Sequence, residues 1–414
     1  MFNAARRAIG DLIDESPDDE LHVVCPMFPG QPDDFLALLV EETGKSRTRL
    51  VLYCADLSGR YEFLPERTTH VSLVTIGGRV PRRLAPITDH LTATLAEVAR
   101  TFGRGERRVD AFVALVAPPD DDGFCSLGPV VSYSPAAAAS ARRRIIITNP
   151  EMPRFSGHRG LHQDSCTVLE GPARPLGVLP PRPPSEAELR IGKSVAGLIS
   201  DGAVLQLGIG GIPESLIGNL IGQHSGLRLH SGAIPEAAMA AFDAGVFDDS
   251  PRRTTSLLGT AELYAYAARP ENGIEILPVT ETHAPEVLAG LGTFFAVNSC
   301  FEVDLFGQVN AEFAAGERRA SAGGQADFGH WAHLSAGANI MALRSVDGSG
   351  VSRIVAQLPA PHVVTTNRSD LDAVVTEFGV AWLRGRTAGE RAEALVDVAH
   401  PDHRDELRTA WRNS

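Results

Sequence analysis

The stretch GIGGIPESL at 208–216 follows the apolar run AVLQLGI and leads into further apolar residues, which gives the order strand, glycine turn, helix. Gly208, Gly210 and Gly211 let a backbone approach a ligand closely, and Pro213 suits the first turn of a helix. Backbone N–H groups at such a helix start can hold an anion or an oxyanion. The third glycine of the dinucleotide fingerprint is absent, so the turn alone is a weak signal that is often structural.

The pair His230-Ser231, within LHSG at 229–232, is a second candidate for chemistry. The neutral imidazole of His230 suits proton abstraction near pH 7, and Ser231 beside it could be a nucleophile. No third group in the sequence completes a catalytic triad. A structural role for both residues in shaping the loop is the alternative.

Short apolar runs alternate with helical patterns on both sides of a proline-rich stretch at 171–184. Runs of this kind are typical of parallel strands that are buried on both faces. We therefore predict an α/β protein of two domains, 1–170 and 185–414, joined by the 171–184 linker, each with a mostly parallel sheet flanked by helices. The predicted strands are HVVCPMF, RLVLYCA, VDAFVALVAP and RRIIITN in the first domain and AVLQLGI, IEILPV, FFAVNS, NIMAL and HVVTT in the second.

Two helices are predicted with some detail. One is DDFLALLVEETG at 33–44. The other begins directly after the linker, where Ser185 and Glu188 form a capping-box pattern ahead of apolar residues at helical spacing. We expect Asp201-Gly202 to end that helix, because Gly202 suits a left-handed turn.

Composition narrows the function classes. The 414 residues are 43% hydrophobic and 21% charged, as in ordinary globular proteins, and the formal net charge of −13 argues against general nucleic-acid binding. No apolar run of membrane-spanning length occurs and the N-terminus does not read as a signal peptide, so no membrane association and a cytoplasmic location are expected. The five cysteines form no CxxC pair and no metal-ligand spacing, which predicts reduced thiols and no metal.

The glycine turn and the LHSG segment together resemble the acetyl-CoA hydrolase/transferase family, the 4-hydroxybutyrate CoA-transferase-like enzymes of the class I CoA-transferases. Further segments match that family in order along essentially the whole chain. They are PPDDDGFCSLG (118–128), YSPAAAASA (133–141), NPEMPRFSG (149–157), VNSCFEVDLFGQVNAE (297–312), GGQADF (323–328), SRIV (352–355), VTEFGVAWLRG (375–385) and AHPDHRDEL (399–407).

The resemblance implies an acyl-CoA substrate, with coenzyme A as the group handled, a small acceptor (carboxylate or water) and a homo-oligomer. It implies that the backbone N–H groups of Ile212 and Gly324 hold the thioester oxygen and that Asn298 lies beside the thioester. It also implies that Glu302 is not the nucleophile, and a structural pairing is expected for that carboxylate. The residues implied to line the substrate site are Gly210, Gly211, Ser231, Gly232, Gly323 and Gln325.

One position departs from the family pattern. The transferases carry a nucleophilic glutamate after the His-Ser pair, whereas this chain has Gly232. Three interpretations follow: Glu236 or Glu214 is a surrogate carboxylate; the acceptor attacks the thioester directly, with His230 as base and hydrolysis as the simplest form; or the protein binds acyl-CoA without turnover. We expect CoA or acyl transfer by direct attack, with a thioesterase and a non-catalytic partner as alternatives.

Overall fold

The computed structural model describes residues 2–413. Its strands are β1 Glu20–Met27, β2 Arg49–Ala55, β3 Val71–Thr75, β4 Thr88–His90, β5 Ala111–Val116, β6 Phe124–Cys125, β7 Arg143–Thr148, β8 Ser156–Gly157, β9 Leu161–His162, β10 Thr167–Glu170, β11 Val204–Leu207, β12 Arg228–Ser231, β13 Arg252–Thr254, β14 Ile274–Ile276, β15 Phe294–Ser299, β16 Glu302–Asp304, β17 Val309–Asn310, β18 Phe313–Ala314, β19 Glu317–Arg318, β20 Ala338–Ala342, β21 Ile354–Val355, β22 Ala373–Thr376 and β23 Gly379–Trp382.

The α-helices are α1 Phe2–Asp14, α2 Asp33–Thr43, α3 Leu95–Gly103, α4 Ser134–Ser140, α5 Glu186–Ala196, α6 Gly211–Leu220, α7 Ala238–Asp243, α8 Ala261–Ala267, α9 Val279–Thr282, α10 Pro285–Ala289, α11 Gln325–Leu334, α12 Ala388–Val398 and α13 Arg404–Arg412. The chain divides into two compact units, one of residues 1–179 with 264–281 and one of 180–263 with 282–414. The predicted C-terminal domain, 185–414, includes the 264–281 segment. That segment lies in the first unit because β14 pairs with β8 and Pro278 bridges Ser132.

The first unit contains a sheet with the strand order β10-β7-β5-β1-β2-β3-β4. Every neighbouring pair is parallel. Strands β1, β2, β5 and β7 correspond to the four predicted runs and supply much of the buried core, together with α1 and α2. Continuous burial on both sheet faces explains why these strands are apolar throughout rather than alternating.

The second unit contains a sheet with the order β23-β22-β20-β15-β11-β12-β13. Its pairs are parallel except for the antiparallel hairpin of β22 and β23. The predicted capping box is present at the start of α5, where the Ser185 hydroxyl accepts from the Glu188 N–H and the Glu188 carboxylate accepts from the Ser185 N–H. The expected α/β architecture with mostly parallel sheets is confirmed.

Two local predictions were wrong. The α5 helix ends at Ala196 with Gly197 as its cap, ahead of Gly202, although Gly202 does have the expected left-handed φ of 73°. HVVTT at 362–366 forms no regular strand and makes only an isolated bridge, from Thr366 to Val309. The position next to β20 in the sheet is occupied by β22, which pairs with both β20 and β23.

Candidate active site

The carboxyl ends of three adjacent parallel strands carry most of the predicted site residues of the second unit. Strand β11 leads into Gly208, β12 ends at Ser231 beside Gly232, and β15 contains Asn298. The order β15-β11-β12 makes these strand ends neighbours. Ligands in open α/β sheets bind at this edge, so the topology brings the segments together where chemistry is expected.

The glycine turn after β11 leads directly into helix α6, as the sequence predicts. Gly210 has φ 112° and ψ −176°, a backbone conformation that only glycine adopts readily. Ile212 lies in the first helical turn, where an N–H group has no acceptor within the helix. The structure therefore leaves the Ile212 N–H in a position suited to an external acceptor.

The GGQ turn at 323–325 leads into a second helix, α11. Gly323 has a left-handed φ of 60°, and Gly324 is the N-cap residue. The side chain of Gln325 donates from Nε2 to Oγ1 of Thr366 at 3.0 Å. Gln325 thus fixes the turn against the 366 segment within this unit, in addition to its predicted place in the substrate site.

Asn298 is buried, and its amide is paired with another side chain. Its Nδ2 donates to Oε1 of Gln206 at 3.0 Å, and Nε2 of Gln206 donates back to Oδ1 of Asn298 at 3.2 Å. A Cβ added to Gly208 would lie 3.9 Å from Oδ1 of Asn298 and 3.9 Å from Cγ of Pro213. Gln206 orients Asn298 next to the glycine turn. A glutamine inside the otherwise apolar run AVLQLGI is the sequence signal that could have identified Gln206.

Ser231 is fully buried and holds two strands together. Its hydroxyl donates to the carbonyl of Leu207 at 3.0 Å and accepts from the Leu207 N–H at 3.1 Å. Both hydrogen bonds tie the end of β12 to the end of β11. A hydroxyl used in this way supports the loop-shaping interpretation rather than a nucleophile.

His230 is buried and is bound to the backbone of a distant segment. Its Nε2 lies 2.7 Å from the carbonyl oxygen of Thr282, so Nε2 carries the hydrogen and donates it. Burial lowers the pKa of His230, so the ring is neutral at pH 7. Only Nδ1 can then accept a proton, which restricts the predicted base role to that nitrogen.

His283, which sequence analysis did not single out, lies next to these residues. Its side chain is 2% exposed, and its Nδ1 lies 2.8 Å from Oγ1 of Thr282. The ring packs against Phe328, with ring centroids 4.3 Å apart. Burial lowers the pKa of His283 to about 3, with a smaller contribution from His230. The imidazole is therefore neutral.

Gly232 faces the aromatic pair of His283 and Phe328. A Cβ placed on Gly232 would lie 3.2 Å from Cε2 of Phe328 and 3.9 Å from Nε2 of His283. A Cβ on Gly324 would lie 2.4 Å from the same Nε2. The three heavy atoms nearest to the Gly232 Cβ position all belong to Phe328 and His283, and none is a carboxylate oxygen.

The two proposed surrogate carboxylates are engaged elsewhere. Glu214 accepts from the N–H of Ala237 at 2.9 Å, and burial raises its pKa. Glu236 accepts from the N–H of Thr260 at 2.8 Å and from the Thr260 hydroxyl at 2.6 Å. Both carboxylates stabilise backbone turns, which is the usual role of such contacts.

Glu302 is paired in the way that a structural carboxylate would be. Its Oε2 lies 2.5 Å from Nδ1 of His362 and accepts from Nδ2 of Asn310 at 2.9 Å.

Within residues 2–413, no group of three or more His, Cys, Asp or Glu side chains is arranged to hold a metal ion. In the same residues, no helix combines the length and the apolar character needed to cross a membrane.

The predicted residues thus fall into two groups, and the contacts described lie within each group. Asn298 lies beside the turn that contains Gly208, Gly210, Gly211 and Ile212, and Gly232 lies with Gly324 around His283 and Phe328. The hydroxyl of Ser231 connects the strands that carry the two groups.

Comparison with known proteins identifies the family. Residues 259–411 match the model of the acetyl-CoA hydrolase/transferase C-terminal domain. The chain is 35% identical over 333 residues to the 4-hydroxybutyrate coenzyme A transferase of Clostridium kluyveri, an alignment that covers 78% of this chain and 77% of that one. It is 26% identical over 342 residues to an acetyl-CoA hydrolase of Candida albicans, covering 71% of this chain and 64% of that one.

Solved structures agree with the sequence comparison. RipA from Yersinia pestis superimposes with a TM-score of 0.85 at 28% identity, over 98% of this chain and 99% of that one. A 4-hydroxybutyrate CoA-transferase from Porphyromonas gingivalis gives a TM-score of 0.81 at 29% identity, over 99% and 96% of the two chains. The chain belongs to the acetyl-CoA hydrolase/transferase family and is an enzyme with CoA-transferase or acyl-CoA hydrolase activity.

Proposed function

We propose that this enzyme acts on a short acyl-CoA by direct attack of a small acceptor, a carboxylate or water, on the thioester carbonyl. No covalent glutamyl intermediate forms. The acceptor oxygen bonds to the carbonyl carbon, the carbon–sulfur bond breaks, and CoA leaves as the thiolate. With water as acceptor the products are the free acid and CoA. With a carboxylate as acceptor the product is a mixed anhydride, and the CoA thiolate then attacks the acceptor's carbonyl to give the new acyl-CoA and the free donor acid.

The surroundings of Gly232 carry this proposal. If Gly232 occupies the position of the family nucleophile, the side chains facing that position are an imidazole and a phenyl ring, neither of which forms an acyl anhydride. The carboxylates nearest in sequence, Glu214 and Glu236, are held by backbone N–H groups of Ala237 and Thr260. A surrogate carboxylate would have to break these contacts to reach the thioester.

The remaining predicted residues suit stabilisation of the oxyanion that direct attack creates. The N–H groups of Ile212 and Gly324 both lie at helix starts, where the helix dipole favours negative charge. Each donor of this kind typically lowers the barrier by about 3 kcal/mol. Asn298, oriented by Gln206, lies next to the first of these turns.

Hydrolysis is the second candidate, favoured by the similarity to proteins named acetyl-CoA hydrolase. Water is the smallest of the acceptors considered. Transfer is favoured by the similarity to several CoA transferases. The homo-oligomer implied by the family resemblance stays a prediction that light scattering would check.

The test measures free CoA and newly formed acyl-CoA from a panel of short acyl-CoAs, each with and without acetate or succinate. Free CoA formed without an added carboxylate supports hydrolysis, and acetyl-CoA or succinyl-CoA formed with the matching carboxylate supports transfer. Absence of both products for every member of the panel would contradict the proposal.

A further inference from the structure

The imidazole of His283 contains a buried nitrogen, Nε2, without a hydrogen-bond partner among the described residues. The side chain is only 2% exposed. Buried polar atoms are nearly always hydrogen-bonded, and an exception in a native fold calls for an explanation. One explanation is that the partner of this atom is a ligand.

The position of Nε2 indicates which ligand. It lies 3.9 Å from the Cβ position of Gly232 and 2.4 Å from that of Gly324, so it sits between the two glycines. Gly324 must lack a side chain, because any Cβ there would overlap with the imidazole. Gly324, whose N–H is the predicted thioester donor, and Gly232, the predicted position of the missing nucleophile, therefore both adjoin this one nitrogen.

One hydrogen bond, whose direction we assign, sets the proton state of His283. The carbonyl of Thr282 accepts from His230, and the Thr282 hydroxyl is 2.8 Å from Nδ1 of His283. When that hydroxyl donates to Nδ1, a neutral ring carries its hydrogen on Nε2. Burial lowers the pKa of His283 to about 3, which makes the ring a weak base and keeps it a neutral donor.

We propose that Nε2–H of His283 donates a hydrogen bond to the thioester oxygen as it becomes an oxyanion, beside the N–H of Gly324 and next to Gly232. This inference rests on the proposed function, since it assigns a residue to the same reaction. The imidazole keeps its proton throughout; it stabilises charge and transfers nothing. Its role differs from that of His230, whose Nε2 is occupied by the Thr282 carbonyl.

The experiment compares His283→Leu, which removes the donor, with His283→Gln, whose amide N–H can reach the place of Nε2. His224→Leu is the control, because His224 pairs with Asp201 away from the site. We expect His283→Leu to lower kcat about 100- to 1000-fold with KM changed less than threefold, as for loss of one oxyanion donor. His283→Gln should recover at least tenfold of that loss, and the pH profile of kcat should keep its shape.

A kcat of His283→Leu within threefold of the wild type would overturn the inference while leaving the proposed function intact. A second measurement covers the case in which the leucine variant does not fold or the wild type shows no turnover. The Nε2 resonance of 15N-histidine-labelled wild type, assigned with His283→Gln, is followed on addition of acetonyl-CoA, an inert ketone analogue. A shift of that resonance supports the inference, and an unchanged resonance at saturating analogue, or no binding, overturns it.

Discussion

The backbone carbonyl of Thr282 accepts a hydrogen bond from Nε2 of His230 at 2.7 Å. Through this contact, the end of strand β12 holds the segment that presents His283. We infer that His230 acts mainly by positioning that segment. His230→Phe should therefore lower kcat about tenfold and reduce the free energy of unfolding by about 1–3 kcal/mol, because the buried carbonyl loses its donor.

The pH profile of kcat separates this role from that of a base. If His230 positions the 282–283 segment, His230→Phe keeps the shape of the wild-type profile at a lower level. Disappearance of an inflection between pH 5 and 7 in the variant would show that His230 takes up a proton during the reaction.

Gly324→Ala should lower kcat much more than the size of the one added methyl group suggests. The new Cβ would lie 2.4 Å from Nε2 of His283 and 3.3 Å from Cε2 of Phe328, so the imidazole must move. We expect kcat to fall at least 30-fold, on the order of a lost oxyanion donor. Gly389→Ala, at an exposed helical position with open space around it, is the matched control and should leave kcat unchanged. Equal kcat values for the two variants would contradict the assigned position of His283.

Gly232→Ala tests whether the acceptor binds next to this glycine. The added Cβ would lie 3.2 Å from Phe328, a contact that a shift of a few tenths of an ångström relieves, so folding should survive. The rate with succinate should fall more than the rate with water, because the larger acceptor needs more space. Equal loss of both rates, measured as succinyl-CoA formation and as free CoA respectively, would place the acceptor elsewhere.

Glu214→Gln and Glu236→Gln should keep kcat within about threefold of the wild type. A glutamine carbonyl can still accept from the N–H of Ala237 or Thr260, which preserves the turns that these side chains stabilise. A surrogate nucleophile could not be replaced in this way, since an amide does not form the anhydride. Loss of activity beyond 1000-fold in either variant, with an unchanged melting temperature, would identify that residue as the nucleophile.

Stability should depend on pH through the buried histidines. Burial depresses the pKa values of His230 and His283 in the fold below the ordinary histidine value of 6.5, that of His283 to about 3. The unfolded chain therefore binds more protons than the folded one between these values, and stability is lost as pH falls from about 6.5 toward 3. Each group contributes a slope of at most about 1.4 kcal/mol per pH unit. Urea titrations of wild type and His283→Gln should show a shallower decline in the variant; equal slopes would contradict the burial of a neutral His283.

Several strands of the two large sheets were predictable because they are mostly apolar. HVVCPMF, RLVLYCA and FFAVNS all became strands of parallel sheets, since a run that is buried on both faces has little alternative. HVVTT, with two valines and three polar residues, failed as a strand prediction. Its His362 pairs with Glu302 and its Thr366 bridges Val309, contacts between segments distant in sequence that local pattern does not encode.

The site residues that belong to sequence motifs were predictable. His283, whose place in the site depends on tertiary contacts, was not. The glycine turn and the GGQ turn were found through residues adjacent in sequence, and both lead into helices as expected. His283 stands alone between Thr282 and Ala284, without any motif, and a single histidine is more often structural. Its proximity to Gly232 and Gly324 arises only because the fold brings three separate segments of the chain together.

The central claim, direct attack without a glutamyl intermediate, is tested most directly by borohydride trapping during turnover of a short acyl-CoA that the enzyme consumes. Peptide mapping by mass spectrometry would locate any reduced residue. The account predicts continuing consumption of the acyl-CoA, no loss of activity to borohydride and no modified glutamate. A borohydride-sensitive glutamyl-CoA adduct, whether at Glu214, Glu236 or another carboxylate, would contradict it.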